Sequence, residues 1–242
     1  MNQTTNLPSD PDVEADTRDY YRARAPEFEQ WILREGRYAH GAKADAAWHD
    51  EMAELQRFVG SLTDGSVFEV AAGTGWWTRL LAQRNRVVAS DYAPEMLEEA
   101  RRRDGADVPL GRCRADAYRL PAADGAWDAC MFGFWLSHVP VPRSAEFICE
   151  AARIVRPGGW IVLVDSRQAE HSGASDQYVK GERVQRQHRR LNDGREFTIW
   201  KIYWSPDELR SLLGLVCTEI EIIETDQFFI GARGQVWTPA ED

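Results

Sequence analysis

Cysteine is scarce in this chain. Cys113, Cys130, Cys149 and Cys217 are the 4 cysteines among 242 residues, and they stand singly. None has the paired spacing that a zinc site or a disulfide framework needs. They read as small buried hydrophobes in a reducing compartment, and no metal is expected. Long apolar runs are missing too. No stretch of eighteen apolar residues could cross a bilayer, and no secretory leader is legible, so the sequence predicts a cytoplasmic protein without a membrane partner. Positive charge is in deficit: 29 Lys and Arg face 39 Asp and Glu, for a net charge of -10. Gripping a phosphate backbone requires a basic face, so nucleic acid is not expected as a partner. No internal repeat is present, and the length suits one domain with decorations.

What is present centres on residues 67 to 92. Val67-Phe68-Glu69-Val70 is a short apolar run with one acid. It breaks into Ala71-Ala72-Gly73-Thr74-Gly75, then into a helically spaced segment from Trp76. Val87-Val88-Ala89-Ser90 follows and ends in Asp91-Tyr92. A strand, a glycine turn, a helix and a second strand tipped by an acid form half of a nucleoside-binding unit. The glycines let backbone approach a ligand where a Cβ would clash. The acid can accept both hydroxyls of a ribose. A third glycine is absent, and Trp76 and Trp77 crowd the place where a dinucleotide's pyrophosphate would rest. Glu69 adds negative charge there, which suits a cationic ligand instead.

On these residues the chain resembles the class I S-adenosylmethionine-dependent methyltransferases, whose first motif reads like Glu69 to Gly75. The resemblance runs firmly over about residues 64–166. It takes in Cys113 to Ala117, the strand Ala126 to Phe132, and Arg156-Pro157-Gly158-Gly159-Trp160 leading into a fifth strand that ends at Asp165. It implies a doubly wound, Rossmann-like α/β fold: a seven-stranded, mostly parallel sheet with an antiparallel final strand. It implies S-adenosyl-L-methionine as methyl donor and S-adenosyl-L-homocysteine as product. By the same resemblance Ala71, Gly73, Gly75, Trp77, Asp91, Tyr92 and Met96 meet the cofactor, with Asp116 and Ala117 at the adenine and Phe132 nearby.

Residues 1–16 are polar and acidic and are expected to be disordered. A helical lid and cap is expected over 17–62, with Trp48, Met52, Leu55, Phe58 and Val59 on one side of its second helix. Its tyrosine-rich start, Tyr20 to Ala25, is of the kind that closes over the cofactor, with Tyr21 and Arg24 as contacts and Arg24 facing a carboxylate. Tyr38 is expected at the substrate. A substrate-side insertion over 167–204 is expected to hold a helix from about Ser175 to Arg190 and a strand from Phe197 to Trp204. Ser205-Pro206-Asp207-Glu208 is a capping-box helix start.

After the fourth strand, Phe132 to Trp135 is read as an aromatic wall, with Phe134 and Trp135 at the substrate and His138 as the candidate base. The polar residue and two prolines that usually mark methylation of base amines are absent here. Between Lys180 and Lys201 lies a net basic island that includes Arg189, Arg195 and Lys201. Arginine forks suit carboxylate and phosphonate oxygens. Together with Tyr20 to Ala25 and Trp135 to Pro140, the island is similar to the phosphonate O-methyltransferases of the dehydrophos type and related small-molecule enzymes. That resemblance implies an anionic small-molecule substrate held by Arg189 and Lys201. A longer segment over about Gly36 to Ala47 departs from the pattern. A hydroxyl or amine methylated with His138 as base, a nicotinamide oxidoreductase and a non-catalytic binding protein remain the alternatives, and a homodimer is compatible with the island.

Overall fold

The computed structural model of the protein describes residues 11–62, 65–104, 110–175 and 183–238. At its centre β1 (Ser66–Val70) is buried at all five positions, as a parallel strand covered on both faces must be. Side chains alternate across it. Phe68 and Val70 join one core with Cys130 and Phe132 of β4 (Trp127–Gly133) and Ile161 and Leu163 of β5 (Val155–Ser166). Val67, Met131 and Val162 point into the opposite core. The first core is roofed by α6 (Ser144–Arg153) and α7 (Pro206–Leu213), the second by α3 (Ala42–Gly60) through Trp48, Met52, Leu55, Phe58 and Val59. Both apolar stripes are those the 3.6-residue period marks.

With β2 (Arg86–Asp91), β3 (Leu110–Arg114), β8 (Cys217–Glu224) and β9 (Phe229–Val236), the sheet has the order β3-β2-β1-β4-β5-β9-β8. β1 pairs in parallel with both β2 and β4, and β9 runs antiparallel to β5 and β8. The order reverses at β1 and β4, so a crevice opens above their carboxyl ends. Ser205 caps α7 with the reciprocal Glu208 bond of a capping box.

Three expectations are corrected. Residues 11–16 are not a disordered tail but the first turns of α1 (Pro11–Arg24), while residues 1–10 lie outside the described part. Asp12 and Glu14 favour the helix N-terminus electrostatically, and Val13, Thr17 and Tyr20 are buried beneath it. Over residues 184–190 the chain is strand β6 (Val184–Arg190), not helix, and it pairs antiparallel with β7 (Glu196–Ile202). Gln185 and Gln187 are buried while Arg186 and His188 are exposed, a period of two. Lys180 and Glu182 of the basic island lie outside the described residues. Finally, Cys149 is exposed on α6 and Cys113 is only partly buried.

α1 is strapped across the crevice. Tyr20 packs on Leu191 and Ile199 of the hairpin, Asp16 accepts the Thr198 N–H at 2.9 Å, and Arg22 pairs with Glu95 on α5 (Pro94–Arg103) at 3.1 Å. Among the described residues no helix is long and apolar enough to cross a membrane.

Candidate active site

Beyond β1 the backbone turns left-handed: Ala71 has φ 53°, Gly73 57° and Gly75 82°. Glycine adopts such angles freely, whereas Ala71 is strained there, a trait that gathers at ligand sites. The turn is held from the lid side by α2 (Phe28–Leu33). Buried Glu29 accepts from Thr74 Oγ1 at 2.8 Å, Arg79 Nη2 at 2.8 Å and Arg103 Nη1 at 3.0 Å. Asp91, at the tip of β2, accepts the Gly73 N–H at 2.9 Å and the Ala93 N–H at 2.8 Å. Burial raises its pKa to about 6. Each of its oxygens keeps a lone pair for a diol.

A cavity of about 220 Å³ lies over these strand ends. On the β1–β3 side Ala71, Gly73, Asp91, Tyr92, Met96, Asp116 and Ala117 line it, as expected from the sequence. Tyr118 forms the far wall, with the Arg143 guanidinium 3.5 Å from its ring centroid. Tyr21 and Arg24 of α1 and Phe28 of α2 cover it. On the β4–β5 side stand Phe134, Trp135, His138, Ser166, Arg189, Lys201 and, from the cap, Trp31 and Tyr38. Phe134 is the second non-glycine residue here with left-handed backbone (φ 56°); its ring meets Trp31 edge-on at 4.8 Å.

Three cations converge on this space. Arg24 is buried and sits 5.5, 5.0 and 5.7 Å from the ring centroids of Tyr20, Phe28 and Tyr38. It makes no ion pair among the described residues, and its Nε has no hydrogen-bond partner. A buried, unpaired guanidinium is costly unless an anion joins it. Arg189 donates to Gln187 Oε1 on the cavity face of β6. Lys201 is buried on β7; its ammonium donates to Ser137 Oγ and Ser166 Oγ, each at 2.7 Å, and to Asp165 Oδ1 at 3.3 Å. Burial lowers its pKa despite Asp165. All three of its protons thus reach protein oxygens, so Lys201 gives the wall a fixed positive charge more than a free donor.

His138 does not stand open to the cavity as a bare base. Its Nδ1 lies 2.6 Å from the Trp200 carbonyl and its Nε2 2.7 Å from the Tyr21 hydroxyl. Burial, reinforced by nearby Lys201, drives its pKa well below the usual histidine value.

Five expected contacts do not line the cavity. The β1 alternation sends Glu69 to the side of α4 (Trp76–Leu81), where it accepts from Thr78 Oγ1 at 2.5 Å, and burial raises its pKa to about 8. Phe132 turns into the core against Phe147, 4.8 Å between centroids. Gly75 is the left-handed N-cap of α4 (Trp76–Leu81). Trp77 lies behind Gly133, where an added Cβ would stand 2.3 Å from its Nε1. Arg195 is on the exposed hairpin turn, paired with Asp193 at 2.8 Å. Sequence reasoning missed Glu29, Tyr118, Arg143 and the Ser137–Asp165–Ser166 cradle, which no local motif announces.

The acid at β2, the glycine turn, the exposed acid after β3 and the unpaired Arg24 fit an adenosine with an attached amino acid. The comparisons agree. The description "Methyltransferase domain" fits residues 67–159. The structure of the DhpI–SAH complex is similar, with a TM-score of 0.71 and 30% identity over 95% of this chain and 99% of that one. For the DhpI–SAM–HEP complex the TM-score is 0.72 and the identity 32%, over 93% and 99% of the two chains. A demethylmenaquinone methyltransferase of Clavibacter sepedonicus is 36% identical over 110 residues, which are 45% of this chain and 44% of that protein. A malonyl-[acyl-carrier protein] O-methyltransferase of Serratia marcescens is 32% identical over 152 residues, 57% and 56% of the two. The chain thus spans about half the length of these curated relatives. Sheet order, cavity and near-complete overlap with two cofactor complexes lead to one assignment: the chain belongs to the class I S-adenosylmethionine-dependent methyltransferases.

Proposed function

We propose that this methyltransferase esterifies a small anionic metabolite, a carboxylate or a phosphonate, at oxygen. The observation that carries the reading is the convergence of Arg24, Arg189 and Lys201 on one cavity, where Lys201 alone of the three pairs with Asp165. S-adenosyl-L-methionine supplies an electrophilic methyl on a sulfonium when bound. In this reading Asp91 accepts from its ribose, Asp116 faces its adenine and Arg24 pairs with its carboxylate. Arg189 and the Lys201 charge then remain for the substrate's acid.

An acid of this kind is ionised at neutral pH and needs no base. This agrees with His138, whose Nε2 is taken by Tyr21. The protein's part is alignment and exclusion of water, and alignment alone is worth roughly 7–11 kcal/mol. Trp31, Tyr38, Phe134 and Trp135 give the acid an apolar seat. Methylation removes the charge of a carboxylate and one charge of a phosphonate, which weakens the hold of Arg189 and favours release.

Calorimetry tests the reading. S-adenosylhomocysteine is titrated into the protein, followed by a panel of small carboxylates and phosphonates. Binding of one acid, weakened at least tenfold in Arg189→Ala, is the expected outcome. Tight cofactor binding with no response to any acid would discard the anionic substrate.

A further inference from the structure

His138 carries two hydrogen bonds of opposite sense, and together they fix more than its own position. The Trp200 carbonyl has only lone pairs to offer, so the 2.6 Å contact requires a proton on Nδ1. In a neutral ring the other nitrogen is then bare, so the 2.7 Å contact requires the Tyr21 hydroxyl to donate. Neutrality is enforced by the surroundings. Lys201 and Arg189 from the hairpin and Arg24 from α1 are the charged groups that disfavour an imidazolium. Asp165, the carboxylate on β5, is already engaged by Lys201. Tyr21 also stays protonated, since burial raises its pKa.

We propose that His138 is a positioning residue, not the base: its Nε2 accepts the Tyr21 O–H and holds it turned away from the cavity, so that the Tyr21 oxygen meets the cavity as an acceptor only. An oxygen presented in that way attracts the polarised C–H groups of a sulfonium methyl or an ammonium, and it repels an anionic oxygen. Tyr21 therefore helps hold the methyl donor and turns the acid toward Arg189 and Lys201. The second half rests on the acidic substrate proposed above, whereas the orientation of Tyr21 does not.

The bond also spans the site. Tyr21 belongs to α1, His138 follows β4, and Trp200 belongs to β7. The relay thus ties the cap, the sheet and the hairpin together at the reacting centre, with the Tyr21 and His138 rings edge to face at 5.2 Å.

The test reads the histidine directly and needs no substrate. Full-length protein labelled with 15N-histidine is saturated with S-adenosylhomocysteine, and the His138 signals are identified by their loss in His138→Gln. A protonated Nδ1, a bare Nε2 and no titration between pH 6 and 8 are expected. Tyr21→Phe is expected to shift the Nε2 resonance. A proton on Nε2, or a ring that titrates in that range, would overturn the proposal.

Affinity gives a second readout. Glutamine has one donor and one acceptor for the same two partners but cannot take a proton. His138→Gln is therefore expected to bind S-adenosylmethionine more tightly than His138→Ala, which loses about tenfold, the scale of one buried hydrogen bond. Tyr21→Phe and His138→Ala are expected to be non-additive in the double variant, as members of one network are. Equal losses in the Gln and Ala variants with full additivity would refute the relay. If no acid binds while these results hold, only the anionic-substrate reading fails.

Discussion

Glu29→Gln is the substitution that best separates packing from electrostatics in this site. Glu29 is 6% exposed, and its carboxylate is the shared acceptor for Thr74, Arg79 and Arg103. Glutamine keeps the shape and can still accept from Thr74, but it lacks the charge. Breaking a fully buried ion pair costs about 3–5 kcal/mol, while exposed pairs are worth about 0–1 kcal/mol. The arginine side chains here are 28% and 29% exposed. The case lies between those limits, at about 2–3 kcal/mol of stability lost. For a chain of this size each kcal/mol moves Tm by about 2–4 °C, so a fall of about 4–12 °C is expected by calorimetry of the ligand-free protein. Thr74 stands in the glycine turn, so cofactor affinity should fall as well. A Tm change under about 2 °C with unchanged S-adenosylhomocysteine binding would refute the idea that α2 braces the turn through this carboxylate.

Gly133→Ala places a methyl 2.3 Å from Trp77 Nε1; overpacking of this kind costs about 1–3 kcal/mol, and both Tm and cofactor affinity should drop. Glu69 gives a pH signature. Its folded pKa of about 8 exceeds the unfolded value of about 4.3, so the folded state retains a proton that the unfolded chain releases. Its contribution is complete below about pH 4 and is lost as pH rises through about 8; Glu69→Gln should flatten the decline of Tm between pH 5 and 9, and parallel curves would refute the assignment. Arg195→Ala should leave acid binding unchanged while Arg189→Ala weakens it at least tenfold, measured on the same calorimetric panel. Lys201→Met leaves the buried Asp165 with the Ser137 and Ser166 N–H groups as donors and should cost up to about 3 kcal/mol, the low end for breaking a buried pair, read as a loss of Tm that a paired Asp165→Asn substitution partly restores.

The central strands were legible because burial on both faces demands continuous apolar runs, and β1, β4 and β5 have them. The cofactor side followed from short-range features: the glycine turn, Asp91 and Asp116 each stand at a strand end. β6 was misread because Arg and Gln are good helix formers and its partner strand and covering helix are set by the tertiary fold. Glu69 was misjudged for a related reason. Its place beside the turn was evident, but which face it takes depends on the strand's register, and that register sends it to Thr78. Glu29 and the Lys201 cradle join residues far apart in the chain, and no local pattern marks such a meeting.

α1 roofs the cavity through Arg18, Tyr20, Tyr21 and Arg24, and it is packed onto the hairpin through Tyr20, Leu191 and Ile199. A helix seated in this way must shift before a large ligand can enter or leave the cavity. The outer Arg22–Glu95 tie is half-exposed, so added salt is expected to loosen it and to speed the exchange of S-adenosylhomocysteine, measured by stopped flow, without touching a cavity residue.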